Sequence, residues 1–90
     1  MAIAVYFHPA KLDVQQYQDV VDALQGNGDW PPPGLVHHSC FGEGDGLMVY
    51  EVWESQERFD AFGPRLMPVL QQHQVESGQP EVMPVVNVLQ

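Results

Sequence analysis

The segment Leu47–Glu54 (LMVYEVWE) constrains the fold most, because as a strand it is apolar on both faces. Side chains alternate across a strand. Met48, Tyr50 and Val52 therefore point one way, and Leu47, Val49, Glu51 and Trp53 the other. An antiparallel sheet with one face in water carries polar residues on that face. Ala2–His8 (AIAVYFH) departs from this in the same manner, with Ile3, Val5 and Phe7 against Ala4 and Tyr6. In Glu81–Leu89 (EVMPVVNVL), Val82, Val86 and Val88 alternate with Met83, Val85 and Leu89. A sheet built from such strands needs cover on both sides.

Two helical segments separate the strands. Val14, Tyr17, Val21 and Leu24 recur at offsets of three and four within Leu12–Gln25, one face of a helix. Asp13 is its expected N-cap and Gly26 its stop. The loop Gly26–Gly34 (GNGDWPPPG) is stiffened by three prolines and leads into the strand Leu35–Phe41 (LVHHSCF). The glycines of Gly42–Gly46 (GEGDG) suit a tight hairpin. Ser55 caps a second helix reaching about Gln72, with Phe59, Phe62, Leu66 and Leu70 along one stripe. Pro64 and Pro68 are expected to kink it or split it. Val75–Pro80 is a loop, and Pro84 belongs at a sheet edge or a bulge.

The order β-α-β-β-α-β predicts an α+β ferredoxin-like domain: a four-stranded antiparallel sheet with both helices on one face. Ninety residues make a single domain, 1–90, with a modest core of its own. Two helices cover only one sheet face. The second apolar face would be a large exposed patch, which face-to-face pairing of two copies removes. The chain is thus expected to be a homodimer.

Twelve acidic residues stand against Lys11, Arg58 and Arg65, a net charge of −9. Such a chain repels phosphate backbones and anionic lipid, so neither nucleic acid nor a membrane surface is an expected partner. No apolar run approaches the ~18 residues of a membrane span. The apolar N-terminus lacks a basic region and a cleavage pattern, so no signal peptide is expected. Cys40, the single cysteine, suits a reducing cytoplasm.

AVYF in the first strand, QQYQDVVDAL in the first helix, PPPGLVHH, VYEVWESQERFDAF and PVVNV together resemble the dimeric α/β-barrel superfamily. Within it they resemble the antibiotic-biosynthesis monooxygenase-like group. The resemblance covers nearly the whole chain. It implies two sheets packed as a dimeric α/β barrel, with a ligand cleft between sheet and helices. Its members include cofactor-independent oxygenases of phenolic polyketides, haem-degrading enzymes, isomerases and cyclases, and one fold hosts all of them. A Trp at the position of Trp53 lines the cleft in the oxygenases and haem degraders. Many members carry a His nine residues later, where this chain has Phe62, a departure that counts against haem ligation.

Glu51 is the anomaly, a carboxylate in an apolar strand. Burial would suit it to proton transfer near neutral pH. The adjacent His37 and His38 face opposite sides of their strand, and the hairpin register decides which of them meets Glu51. If Phe41 pairs with Leu47, His37 lies across from Glu51; a four-residue or bulged turn puts His38 there. The resemblance favours His38. A His38–Glu51 pair would form a general base with a set tautomer. Trp53, His37, Tyr6, His8, Asn87 and Trp30 are the expected substrate-binding residues, with Trp30 as a lid or an interface anchor. No metal-ligand spacing, phosphate loop or nucleotide-binding turn occurs, so no metal or cofactor is expected. The expected function is a small cofactor-independent enzyme on an aromatic or polyketide-like molecule. Proton abstraction would lead to oxygenation, cyclisation or isomerisation. The alternative is a non-catalytic dimeric module that binds a small hydrophobic ligand or a protein.

Overall fold

The structure is a computed structural model and describes residues 1–89. Its elements are β1 (Ile3–Phe7), α1 (Val14–Gly26), β2 (Leu35–Phe41), β3 (Met48–Trp53), α2 (Gln56–Gln72) and β4 (Glu81–Pro84). The sheet order is β2-β3-β1-β4, all antiparallel, which makes β3 and β1 central and places both βαβ-like halves around the β2–β3 hairpin.

Both helices begin at the expected caps. Asp13 Oδ1 accepts from the Gln16 backbone N–H at 2.8 Å, and the Gln16 side chain accepts from the Asp13 N–H at 3.1 Å. This reciprocal box satisfies donors that helix geometry leaves free. Ser55 accepts from the Arg58 N–H at 3.2 Å. α1 runs through Gly26 and is capped by Asn27, one residue beyond the expected stop.

One core joins the sheet to both helices. Ile3, Val5 and Phe7 of β1 and Val49 and Trp53 of β3 cluster with Val20 and Leu24 of α1 and Phe62, Val69 and Leu70 of α2. Val14 is exposed and Val20 takes its place inside, so the buried stripe of α1 is rotated from the expected one. A bridge between Leu12 and Gly46 ties the segment before α1 to the hairpin. There Leu12 N–H donates to the Asp45 carbonyl at 2.8 Å, and Leu47 N–H donates to the Leu12 carbonyl at 3.1 Å.

Of the two outcomes expected at Pro64 and Pro68, the split does not occur: α2 is one helix of 17 residues with both prolines inside it. Proline at these positions removes the donors to the Asp60 and Pro64 carbonyls. Both of those residues are exposed, where hydration can replace the lost donors. One expectation is corrected at the last strand, which ends at Pro84 rather than Leu89. Pro84 has no N–H, a loss tolerated on an edge strand. After it, the Val85 N–H donates to the carbonyl of Ala2, just before β1, 3.0 Å away.

Ala4, Tyr6, Phe41, Met48, Tyr50, Val52 and Met83 occupy the sheet face turned away from the core, by alternation with the core-facing residues. The Tyr6 hydroxyl donates to Met48 Sδ at 2.9 Å. Phe41 and Met83 are exposed. Val52 is buried on this face and Ala4, Tyr6, Met48 and Tyr50 are half-buried; its residues are as apolar as the strand alternation predicts.

Candidate active site

The hairpin register settles which histidine meets Glu51. Phe41 pairs with Met48, so six residues connect the strands and His38 lies directly opposite Glu51. An even-length connection has the parity of the four-residue turn. A bulge between Leu35 and His37 shifts the strand only beyond that point. His38 therefore faces the helices, and its neighbour faces away.

Glu51 is 5 % exposed, the single buried charged residue among those described. Both of its oxygens are engaged. Oε2 lies 2.7 Å from His38 Nδ1, and Oε1 accepts from the Trp53 indole N–H at 3.0 Å. The other imidazole nitrogen, Nε2, lies 2.7 Å from the Tyr17 hydroxyl. The four side chains form one hydrogen-bonded row: indole, carboxylate, imidazole, phenol. Among the described residues no buried side-chain nitrogen or oxygen lacks a partner. A buried carboxylate is tolerated under that condition and is costly otherwise.

As a carboxylate, Glu51 can only accept, so His38 Nδ1 carries the proton of their bond. In the neutral ring Nε2 is then an acceptor, and Tyr17 donates to it. Burial, then the thiol of Cys40 and the carboxylate of Glu51, push the Tyr17 phenol above its usual pKa. The phenol therefore stays protonated and donating through the physiological range.

Tyr17, His38 and Glu51 line an apolar cavity of about 80 Å³ between sheet and helices, walled by Leu24, Trp30, Phe62 and Leu70 among others. Trp30 sits edge-on to His38 with centroids 4.9 Å apart and lies 6.3 Å from the Phe62 ring. It lines the cavity from the proline-rich loop. Phe62 occupies the wall where the resemblance expects histidine.

The other expected binding residues separate into those near the cavity and those away from it. Trp53 is 0 % exposed and stands behind the row, holding Glu51 and packing on Phe59 and Phe62 at 5.6 Å. It supports the site and does not line the cavity. Tyr6 lies on the opposite sheet face. His37 lies there too, exposed, against Ser39 and Tyr50. His8 is exposed at the end of β1 and touches the edge of Tyr6. Asn87 is exposed beyond β4. Parity explains Tyr6 and His37: each lies an odd number of residues from a core-facing neighbour. No group of three or more metal-ligating side chains converges among the described residues.

Tyr17 was legible in the sequence only as a core-stripe residue. Its signal was chemical, since a buried tyrosine hydroxyl needs a partner. Cys40 packs partly buried against the core, and burial pushes its thiol up, away from a reactive thiolate.

No family model matches the chain, and no curated protein does. Solved structures do. A candidate antibiotic biosynthesis monooxygenase from Chloroflexus aurantiacus J-10-fl superposes with a TM-score of 0.70 at 14% identity, over 100% of this chain and 98% of that one. SnoaB, a cofactor-independent oxygenase from Streptomyces nogalater, gives 0.62 at 17% identity, over 98% and 94%. A Streptomyces coelicolor monooxygenase in complex with nanaomycin D gives 0.54 at 21% identity, over 99% and 91%. The chain thus has the ferredoxin-like fold of the antibiotic biosynthesis monooxygenase-like proteins along its whole length.

Proposed function

We propose that residues 1–90 form a single-domain, homodimeric, cofactor-independent enzyme. It would take a proton from a small aromatic or phenolic molecule in the cleft between sheet and helices. The observation that carries this is the buried carboxylate–imidazole pair set in the wall of an otherwise apolar cavity. Such a pair orients a neutral imidazole as a base and stabilises the imidazolium that follows. The ligand would keep the electron pair. The resulting carbanion or phenolate then isomerises, cyclises or reacts with dioxygen. Support comes from two proteins of this fold, SnoaB, a cofactor-independent oxygenase, and a monooxygenase in complex with nanaomycin D.

The cavity limits the ligand. At about 80 Å³ it is roughly half the ~150 Å³ of an engineered cavity that admits benzene. A ring system therefore fits only as the cavity widens. Amide chemical-shift mapping with a panel of phenols, anthrones and aromatic acids tests the reading. Binding should move Tyr17, Trp30, His38 and Leu66 together. A panel that moves none of them rejects the cleft. Binding without turnover would leave a ligand-binding module.

The apolar open face supports the dimer, as do the exposed Met83, Val86 and Leu89 at the end of the chain. Sedimentation at micromolar concentration should give roughly twice the 10.1 kDa chain mass. Val86 and Val88 lie beyond β4, so the interface is better tested at the centre of the sheet. Tyr50→Asp should dissociate the pair, since burying an unpaired carboxylate costs several kcal/mol. A compact wild-type monomer would refute the dimer. We place the protein in the cytoplasm, where Cys40 stays reduced. No helix is long and apolar enough to cross a membrane among the described residues.

A further inference from the structure

We propose that Tyr17 is the catalytic residue through which the His38–Glu51 pair touches its ligand: the phenol relays the ligand's proton to an imidazole that has no free nitrogen of its own. The inference rests on the proton-abstraction reading above and says which atom does the abstracting.

Both ring nitrogens of His38 are occupied, Nδ1 by Glu51 at 2.7 Å and Nε2 by Tyr17 at 2.7 Å. The bond directions follow from donor capacity. Trp53 can only donate and a carboxylate can only accept, so the indole N–H and the His38 Nδ1–H both point at Glu51, and the Tyr17 hydroxyl proton points at His38 Nε2. The lone pair that would act as base is already covered by the phenol. A ligand proton reaches Nε2 either by displacing Tyr17 or by passing through it.

Displacement is opposed by the packing. The Tyr17 ring lies nearly parallel to the imidazole, 13° between planes with centroids 5.9 Å apart. Its backbone N–H bonds the Asp13 carbonyl at 3.0 Å, in the first turn of a helix fixed by the capping box. Passage through Tyr17 needs no rearrangement. The phenol oxygen keeps acceptor capacity while it donates. As the ligand's O–H or activated C–H bond breaks, its proton goes to Tyr17 Oη. The proton already on Oη goes to His38 Nε2. The electron pair stays on the ligand, Tyr17 ends neutral, and the imidazolium rests against the Glu51 carboxylate. Burial disfavours a standing phenolate at this position, in keeping with a relay and not a stored base.

The test uses p-nitrophenol, whose ionisation is visible, and reads the apparent pKa of the bound phenol from its phenolate band. Wild-type protein should bind it with that pKa below the free value. Tyr17→Phe keeps the ring and removes the relay oxygen. It should raise the bound pKa by about one unit or more, tenfold in the ionisation equilibrium, and leave the affinity for nitrobenzene unchanged. His38→Ala should raise it comparably. The double variant should add little, as expected for groups acting as one unit. If Tyr17→Phe leaves the bound pKa unchanged or lowers it while His38→Ala raises it, the imidazole acts directly. The relay then falls and the dyad stands. If wild-type protein binds no nitrophenol, or neither variant moves the pKa, the proton-abstraction reading falls and takes the relay with it.

Discussion

Glu51→Gln is expected to lower turnover of a bound phenolic substrate by roughly two to four orders of magnitude, with little change in melting temperature. The reason is the direction of the hydrogen bonds. Glutamine can still accept from the Trp53 indole with its carbonyl oxygen. It then turns its NH2 towards His38 Nδ1, which at present donates to Glu51 Oε2 across 2.7 Å. Two donors cannot share that contact, so the imidazole moves its proton to Nε2. The nitrogen that accepts from Tyr17 becomes a donor, and the base is lost although every side chain stays in place. Carboxylate-to-amide changes beside catalytic histidines elsewhere cost about 10⁴ in kcat by the same change of tautomer. His38→Ala should lose a similar factor. If both variants keep kcat within about threefold of wild type, where general base catalysis contributes about 10² or more, the dyad has no catalytic role.

Trp53→Ala should be the most destabilising single change in the molecule. The indole is 0 % exposed, packs between Phe59 and Phe62, and supplies the donor to Glu51 Oε1. Removing a buried aromatic costs about 3–5 kcal/mol through lost burial and the cavity left behind. Leaving a buried acceptor unpaired adds about 1–3 kcal/mol. Domains have only about 5–15 kcal/mol in all. The variant should therefore unfold tens of degrees early in a calorimetric scan, at about 4–8 °C per kcal/mol for a chain of this size. Trp53→Phe separates the two effects, because it keeps most of the ring volume and removes only the N–H. It should cost about 1–3 kcal/mol. A Trp53→Ala protein that melts within about 5 °C of wild type, a loss near 1 kcal/mol, would mean that the indole supports nothing.

These two residues also mark how far the chain could be read unaided. Glu51 and Trp53 lie two apart in a strand, so alternation alone puts them on one face, and a lone carboxylate in an apolar run stands out without coordinates. The element order, both N-caps and the doubly apolar sheet rest on the same short-range periodicities. Those periodicities persist in the structure because they are properties of the backbone. The partner of Glu51 was beyond that reach. His37 and His38 differ by one residue. The even-length connection at residues 42–47 selected His38, and a change of one residue there would have selected its neighbour. Tyr17 was beyond reach as well, since its hydroxyl meets His38 across 21 positions and only the packing of α1 on the sheet brings them together. The last strand erred for the opposite reason. Glu81–Leu89 has the composition of a strand, but Pro84 supplies no N–H, and beyond Val85 no pairing with β1 occurs among the described residues to hold it. Composition and period determined which segments are strands, which are helices and which faces are apolar. Register, and the side chains that meet across it, were decided by contacts between elements far apart in the chain.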